Sequence, residues 1–307
     1  MTRISRAYFR SVTRTQSDMR HFAFMIIRDI PSGIMPFRSS RAGSAFAAKL
    51  ARRNANLEKQ IPNFLHIGRF ANRDLADTLI QFVDGSAHQL AAFGEVYFEI
   101  VADNSSGNLA GKTLEILPQG RIIKIFNRYA QIVPIKDWEK NKPKVIFIPA
   151  ERIWHLTLPA TLGSPQAHRR LLKKLNRISE IMPSFTRGDG DMGQRRNYDF
   201  MAHNKNKEVG AEFITGVWGS IPSLGRIKGT TEYYYIVHSL QFKHCQALLR
   251  EHIIGELNSV LNRLGVHNSI KVTGLAAAAD IQAAISKMEK GEIGFKEALA
   301  ATKNARS

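Results

Sequence analysis

The sequence predicts an α+β fold, because β-rich segments and amphipathic helices occupy separate stretches of the chain. Short runs of β-forming residues fill residues 95–158. Helical periodicity dominates residues 73–93, 166–182 and 239–264. We therefore expect a β-rich sheet flanked by helices, with long amphipathic helices following it.

The first part of the chain contains little regular structure. Residues 1–17 have no apolar periodicity and indicate a mobile basic arm. Residues 19–30 predict a short helix, which Pro31-Ser32-Gly33 ends. Residues 38–60 are polar, basic and rich in alanine, which is typical of a solvated helix or a loop.

A helix and then a series of strands follow. Residues 73–93 place Leu75, Leu79, Phe82, Leu90 and Phe93 near one helical face, and Gly94 ends that helix. Strands are predicted at residues 95–101, 113–117, 121–126, 129–135, 144–148 and 154–158. Their close spacing favours an antiparallel sheet or a small sandwich.

The second half of the chain is mainly helical. Residues 166–182 form an amphipathic helix with the apolar stripe Leu171, Leu175, Ile178 and Met182. A helix over 239–264 has a second apolar stripe, made of Leu249, Ile253, Leu257, Val260 and Leu264. The first four of these residues are expected to pack against another copy of the chain. The remaining predicted elements are a mobile loop at 186–197, a strand at 211–218, a strand or helix start at 232–238, a strand at 270–272, and helices at 275–290 and 292–303.

Charge gives the clearest information about partners. The formal net charge is +18 at pH 7, and residues 1–60 contain 12 Lys and Arg but 3 Asp and Glu. Residues 165–207 contain 10 basic and 4 acidic residues. Two separate basic clusters indicate contact with a polyanion, either nucleic acid or an acidic protein.

Other features narrow the functional class. The single cysteine, Cys245, excludes an intrachain disulfide and a cysteine-cluster metal site, and it favours a reducing compartment. No apolar stretch approaches the length of a membrane span, so no membrane association is expected. No cofactor is expected either.

Catalytic motifs are weak in this sequence. His155-Leu156-Thr157 and His267-Asn268-Ser269 match the paired His-x-Thr/Ser motifs of two-histidine phosphoesterases, in which one histidine acts as base and the other as acid. The glycine-rich segment 188–193 lacks the Gly-Lys-Ser/Thr ending of a phosphate-binding loop. We therefore predict that the chain is not an enzyme.

Basic side chains of the helix over 166–182 and of the loop after it are the best candidates for contact with DNA or with an acidic partner. Such contacts with phosphates give affinity that is independent of base sequence and sensitive to salt. The candidate residues are Arg169, Arg170, Lys173, Lys174, Arg177, Arg195 and Arg196.

Several segments, read in order, resemble the portal proteins of tailed phages. The similar segments are Met25–Pro36, Phe82–Ile100, Leu114–Pro118, Ile148–His155, Thr161–Pro165, Phe242–Gly265 and Lys290–Glu297. The resemblance covers roughly residues 20–300. It implies a basic arm and short helix at 1–60, a wing-like β-rich domain at 61–160, stem- and clip-like helices with a loop at 161–270, and C-terminal helices at 271–307.

The resemblance also implies a function. The chain would form a homo-oligomeric ring, twelvefold in this family, at one vertex of the capsid of a virion, after assembly in the host cytoplasm. The ring would pass double-stranded DNA during packaging and ejection. Its partners would be the terminase large subunit, the capsid and a head-tail adaptor. The alternatives are a nucleic-acid-binding protein without ring assembly and the two-histidine phosphoesterase.

Overall fold

Helices and antiparallel strands build the chain, as the sequence predicts for an α+β protein. The computed structural model describes residues 21–36, 46–65, 74–102, 109, 111–117, 122–132, 145–180, 200–219 and 231–302. The helices in these residues are α1 (His21–Asp29), α2 (Ala55–Phe64), α3 (Leu75–Phe93), α4 (Pro165–Glu180), α5 (Phe200–Thr215), α6 (Glu232–Arg263), α7 (Ala278–Glu289) and α8 (Phe295–Ala300). The arm at 1–17 and the loop at 186–197 lie outside the described residues.

The described strands form three small antiparallel sheets. The strands are β1 (Ala47–Leu50), β2 (Glu95–Ala102), β3 (Lys112–Ile116), β4 (Ile122–Ile125), β5 (Arg128–Ile132), β6 (Val145–Pro149), β7 (Ile153–Thr157) and β8 (Ile270–Thr273). Their orders are β1–β8, β3–β2–β7 and β4–β5–β6. The antiparallel pairing and the short strands agree with the sequence prediction, although β1 replaces the helix or loop expected there.

The main core combines residues from both halves of the chain. Phe98 of β2 and Trp154 of β7 stack with ring centroids 4.9 Å apart, and Phe82 of α3 packs on both rings. All three side chains are buried in one cluster that extends from Phe22 to Ile270. This cluster joins the first three of the predicted segments, so their boundaries do not coincide with separate cores.

The apolar stripe of α6 is the centre of this core. Leu249, Ile253 and Leu257 are fully buried and Val260 is nearly so, all within the main cluster of a single chain. The sequence prediction of a helix with one apolar face is confirmed. The expectation that this face packs against another copy is corrected, because α3, β7 and other elements of the same chain cover it.

Buried polar side chains of α6 attach the N-terminal helix to the core. The Gln246 amide donates hydrogen bonds to the carbonyl oxygens of Asp29, Ile30 and Ser32 at 3.2, 2.9 and 2.8 Å. These carbonyls belong to the last residue of α1 and the turn after it, where the regular helical partners are absent. Gln246 therefore caps α1 across more than 200 residues of sequence.

Gly94 makes the step from α3 to β2 possible. It adopts the left-handed conformation (φ +79°), and a Cβ atom there would lie 2.9 Å from the Cα of Pro165. The backbone N–H of Gly94 donates to the Leu90 carbonyl oxygen, which closes the helix. Glycine is needed both for the positive φ and for the close approach of α4.

We predict that Gly94→Ala destabilises the fold by about 2–4 kcal/mol, because an L residue is strained at this φ and its Cβ collides with Pro165. Urea unfolding measures the loss. The matched control is Gly85→Ala in the same helix, where a Cβ would meet no atom within 4 Å. That variant should be neutral or slightly more stable. Equal losses for the two variants would contradict the prediction.

Candidate nucleic-acid interface

The predicted basic helix is α4, and its position is fixed by its inner face. Leu172 and Leu175 are buried, while Leu171 and Ile178 are half-buried against the main core. This side packs against α1, α3 and α5. The predicted stripe is therefore confirmed at Leu171, Leu175 and Ile178, while Met182 lies outside the described residues.

The first turn of α4 is attached to the end of α3. The Ser164 hydroxyl accepts a hydrogen bond from the Ala167 N–H, so Ser164 acts as the N-cap. His168 Nε2 lies 2.7 Å from the Ala91 carbonyl oxygen, and Arg169 Nε donates to the Phe93 carbonyl oxygen at 3.3 Å. Two side-chain N–H groups thus donate to carbonyls in the last turn of α3, which have no partner within the helix.

Arg169 is held by a cluster of side chains on the neighbouring sheet. Its guanidinium forms an ion pair with Glu95 of β2, and the same carboxylate accepts a hydrogen bond from His155 Nε2 at 3.0 Å. His155 stacks on Tyr97 with ring centroids 4.2 Å apart. Arg169 is therefore a structural anchor for α4, which differs from its predicted role as a contact residue.

The electrostatics of this cluster keep Glu95 ionised. Burial alone would raise the pKa of Glu95, but the hydrogen bond from His155 and the positive charge of Arg169 lower it below its usual value. Burial and the adjacent Glu95 charge raise the pKa of Tyr97 to about 12. The cluster thus holds a permanent negative charge against the first turn of α4.

The outer side of α4 presents a face of positive charge, which we call the α4 cationic face. It consists of Arg170, Lys173, Lys174 and Arg177, all of which are exposed. Their spacing of three, four and seven residues places them on one side of the helix along about 10 Å. No ion pair joins these four side chains to the part of the chain that the structure describes.

A second basic surface, which the sequence analysis missed, lies on the β1–β8 ribbon. Lys49 and Lys271 are paired directly across the two strands, and both are exposed. Like charges in this arrangement repel each other, so an anion between them would be stabilising. No local signal could reveal this pair, because 222 positions separate the two lysines along the chain.

Of the remaining sequence candidates, the structure describes only the two histidines. Arg195 and Arg196 lie outside the described residues. His267 lies in the turn before β8, with its Nδ1 3.0 Å from Asn262 Oδ1. His155 is in β7, which belongs to a different sheet. The two motifs proposed for a phosphoesterase therefore do not share a sheet, and their histidines have different hydrogen-bond partners.

Cys245 and the potential metal ligands were the other groups of chemical interest in the described ranges. The Cys245 thiol is buried, and burial raises its pKa to about 11, which makes the thiolate scarce at neutral pH. Among the residues that the structure describes, no group of three or more His, Cys, Asp or Glu is placed to hold a metal ion. None of the helices described here is long and apolar enough to span a bilayer.

His168 gives the anchor of α4 a pH dependence. A carbonyl oxygen only accepts, so His168 Nε2 carries the proton that bonds Ala91. Burial lowers the pKa of His168 below its usual value, although the hydrogen bond to Ala91 acts in the opposite direction. The folded protein therefore contains neutral His168 at pH values where the unfolded chain is protonated.

We predict that His168 makes the protein less stable in mild acid. Below about pH 6.5 the unfolded chain binds a proton that folded His168 does not, so the free energy of unfolding falls by up to about 1.4 kcal/mol per pH unit. Above pH 7 this contribution vanishes. His168→Gln retains a donor for Ala91 but does not titrate, so its stability should fall less between pH 7 and pH 5. Parallel pH profiles from denaturant unfolding would contradict the prediction.

Comparison with known proteins assigns the chain to no family. It matches no protein-family model, and no curated protein is similar to it. The functional proposal is therefore based on the α4 cationic face and on the overall charge of the chain.

Proposed function

We propose that this protein is a structural subunit that handles DNA without catalysing a reaction, and that the α4 cationic face contacts the phosphate backbone. The observation that supports this proposal is the set of four exposed cations on one side of a helix whose other side is buried, with no ion-pair partner among the side chains that the structure describes. Phosphate groups would supply the negative charges that these four side chains do not meet among the described residues. A net charge of +18 adds long-range attraction to any polyanion.

The rigidity of α4 supports binding to a regular polyanion. Three elements pack against the helix, and Arg169 and His168 attach its first turn to α3. The backbone positions of the four cations are therefore held at fixed spacing, so the helix itself loses little entropy on binding. Duplex DNA presents one negative charge per roughly 1.7 Å of its axis, so several phosphates lie within reach of a face about 10 Å long.

The nature of the side chains favours contacts that do not depend on base sequence. The four residues of the α4 cationic face are lysine and arginine, whose charged ends pair readily with phosphate oxygens, although arginine and lysine also read guanine in the major groove. Phosphate contacts position a protein on DNA and give no base discrimination. Binding that does not depend on base sequence suits a subunit along which DNA of any sequence moves.

Within this function, we propose the portal-like assembly that the resemblance implies. The subunits form a closed ring at a capsid vertex of the virion, with DNA passing through it and with the terminase large subunit, the capsid and a head-tail adaptor as partners. Closed rings arise when one surface of a subunit binds a different surface of the next.

A DNA-binding protein without ring assembly is the alternative that one observation favours. The stripe of α6 that was expected to form the subunit contact is buried inside the single chain. A monomer would still present the α4 cationic face, so both proposals predict DNA binding and differ only in assembly. Single-particle imaging or mass photometry distinguishes the two proposals. A protein that stays monomeric at high concentration would exclude ring assembly.

Titration of duplex DNA against salt tests the shared part of the proposal. We expect the logarithm of the binding constant to fall linearly with the logarithm of salt concentration, with a slope near −4 if the α4 cationic face makes all its contacts. Affinity that does not change with salt, or no binding at low ionic strength, would contradict the proposal. Binding to an acidic protein together with no binding to DNA would also contradict it.

The phosphoesterase alternative has a separate test. In a two-histidine enzyme, replacing either histidine removes the general acid or the general base, which typically costs 10²–10⁴-fold in rate. We expect no hydrolysis of cyclic phosphates by the wild-type chain. Hydrolysis that both His155→Ala and His267→Ala abolish would establish the enzyme instead.

A further inference from the structure

The two faces of the sheet formed by β4, β5 and β6 differ in their exposure to solvent. Tyr129 and Ile148 are buried on the inner face, where they form a small core with Leu117 and Ile153. Side chains alternate between the two faces along each strand. The residues next to Tyr129 and Ile148 in sequence therefore point away from this core.

The opposite face is apolar and exposed, and we call it the outer sheet face. Ile123, Ala130 and Phe147 form one row across the three strands, in register, and the small Ala130 at the centre of the row is buried while the other two are exposed. Ile123 is 52% exposed and Phe147 57% exposed. The outer sheet face consists of Ile123, Ile125, Ile132, Val145 and Phe147, with Arg128 and Ala130 among them.

The hairpin between β4 and β5 extends this apolar surface. Phe126 at its tip is 97% exposed and adopts a positive φ of 51°. Glycine or asparagine would occupy this backbone conformation at lower cost than phenylalanine. An exposed aromatic side chain at a strained turn gains nothing within the isolated chain, which indicates a contact outside it.

A second exposed apolar surface lies on α5 and the turn that follows it. Val209, Phe213 and Val217 are spaced four residues apart, so they lie along one side, which we call the α5 stripe. Phe213 is 88% exposed. Ala211 and Thr215 on the other side are buried, so α5 already has an inner face that packs within the chain.

We propose that the outer sheet face of one copy of this chain packs against the α5 stripe of the next copy, head to tail. This inference rests on the proposed ring and supplies the subunit contact that the buried stripe of α6 cannot provide. A ring needs two different surfaces that complement each other, whereas a twofold dimer needs one surface that complements itself. The outer sheet face and the α5 stripe are two such surfaces on separate elements of the described chain.

The area of the two surfaces suits a stable contact. With about 200 Å² for a fully exposed large side chain, the outer sheet face with Phe126 presents on the order of 600 Å² and the α5 stripe roughly 400 Å². Together they would bury about 1,000 Å² of apolar surface. An interface of standard size, near 1,600 Å² and somewhat more than half apolar, buries about the same.

Charge favours the head-to-tail pairing over a twofold dimer through the sheet. The outer sheet face contains Arg128, so two such faces packed together would bring two arginines into one interface. Half-buried Glu212 lies three residues after Val209 and flanks the α5 stripe, while exposed Lys205 lies four residues before Val209. In the head-to-tail arrangement Arg128 can therefore approach the Glu212 carboxylate, whereas the described residues of the outer sheet face contain no carboxylate.

Two single variants and their mixture test the inference. Phe147→Asp places a charge on the outer sheet face, and Phe213→Asp does the same on the α5 stripe. Both side chains are exposed in the isolated chain, so each variant should fold, which circular dichroism checks. Phe24→Asp is the matched control, since Phe24 is an exposed phenylalanine of α1 outside both surfaces.

We expect the wild type and Phe24→Asp to self-associate in analytical ultracentrifugation, and each of the two interface variants alone to lose at least about a hundredfold in association constant. Mixed in equal amounts, Phe147→Asp and Phe213→Asp should form a one-to-one dimer and nothing larger, because each retains one intact surface.

Three results would overturn the inference in distinguishable ways. Self-association of Phe213→Asp alone, together with a monomeric Phe147→Asp, would indicate a twofold contact through the sheet. Wild-type assembly that neither variant weakens would place the ring contact elsewhere and leave the proposed function intact. A wild type that remains monomeric at high concentration would remove the ring itself, while salt-dependent DNA binding would remain as the separate test of the α4 cationic face.

Discussion

Replacing the four residues of the α4 cationic face with glutamine is expected to weaken duplex-DNA binding about a thousandfold at 0.1 M salt. Each phosphate contact contributes about 0.9 to the slope of log affinity against log salt, so losing four contacts should reduce the slope by between 3 and 4, roughly. The four side chains are exposed and make no described ion pair, so the fold should not change. Fluorescence anisotropy over a range of salt concentrations measures both quantities.

A variant with the same net charge provides the control for this prediction. Lys59, Lys287, Lys290 and Lys296 are also exposed, and none of them lies on α4. Replacing these four with glutamine removes the same total charge from other surfaces. We expect a much smaller loss of affinity and a nearly unchanged salt slope. If both quadruple variants lose affinity equally, then the net charge, and not the α4 cationic face, accounts for binding.

Leu257→Ala is expected to destabilise the isolated chain by about 2–5 kcal/mol, the range for a fully buried leucine whose removal leaves a cavity. The reason is that α6 contributes this side chain to the core of its own chain. The loss should be the same at low and high protein concentration. Urea unfolding, followed at two concentrations a hundredfold apart, measures it.

Ser259→Ala is the matched control on the same helix. Ser259 is exposed, and its hydroxyl bonds only the Gly255 carbonyl oxygen within the described residues. Its replacement should change stability by less than about 0.5 kcal/mol. A Leu257→Ala variant that retains monomer stability but loses self-association would return the α6 stripe to the subunit interface and contradict its internal role.

Local patterns in the sequence predicted the elements on which the candidate site depends. The apolar spacing of Leu171, Leu175 and Ile178 predicted α4 and also left its basic residues on the outer side. The alternation of residues 95–101 and the glycine before them predicted β2 and the end of α3. These features depend on neighbours within a few residues, so the sequence contains the information directly.

Features set by distant contacts could not be predicted in this way. Residues 211–218 contain Phe213, Ile214, Val217 and Trp218, which favour a strand, yet they form the end of α5 and a short 3₁₀ turn. Packing of Ala211 and Thr215 against the core overrides that preference, and a β-forming residue such as Phe213 remains exposed. The prediction of a strand there was wrong for this reason.

Local sequence patterns also could not predict which part of the molecule covers each apolar face. Periodicity showed that α6 has a buried side, but it did not show whether the same chain or another copy covers that side. Among the described strands β1 pairs with β8 alone, whose residues lie more than 200 positions later, so its short sequence gave no signal. Arg169 likewise has the same local sequence pattern as its basic neighbours, and only its ion pair with Glu95 distinguishes it.

Chemical modification of lysines tests the contact between α4 and DNA most directly. The wild-type chain is acetylated at low reagent concentration with and without duplex DNA, and the reactivity of each lysine is read by mass spectrometry. We predict that DNA protects Lys173 and Lys174 strongly, while Lys287, Lys290 and Lys296 react as before. Equal reactivity of Lys173 and Lys174 in the free and DNA-bound protein, under conditions where binding is saturated, would contradict the account.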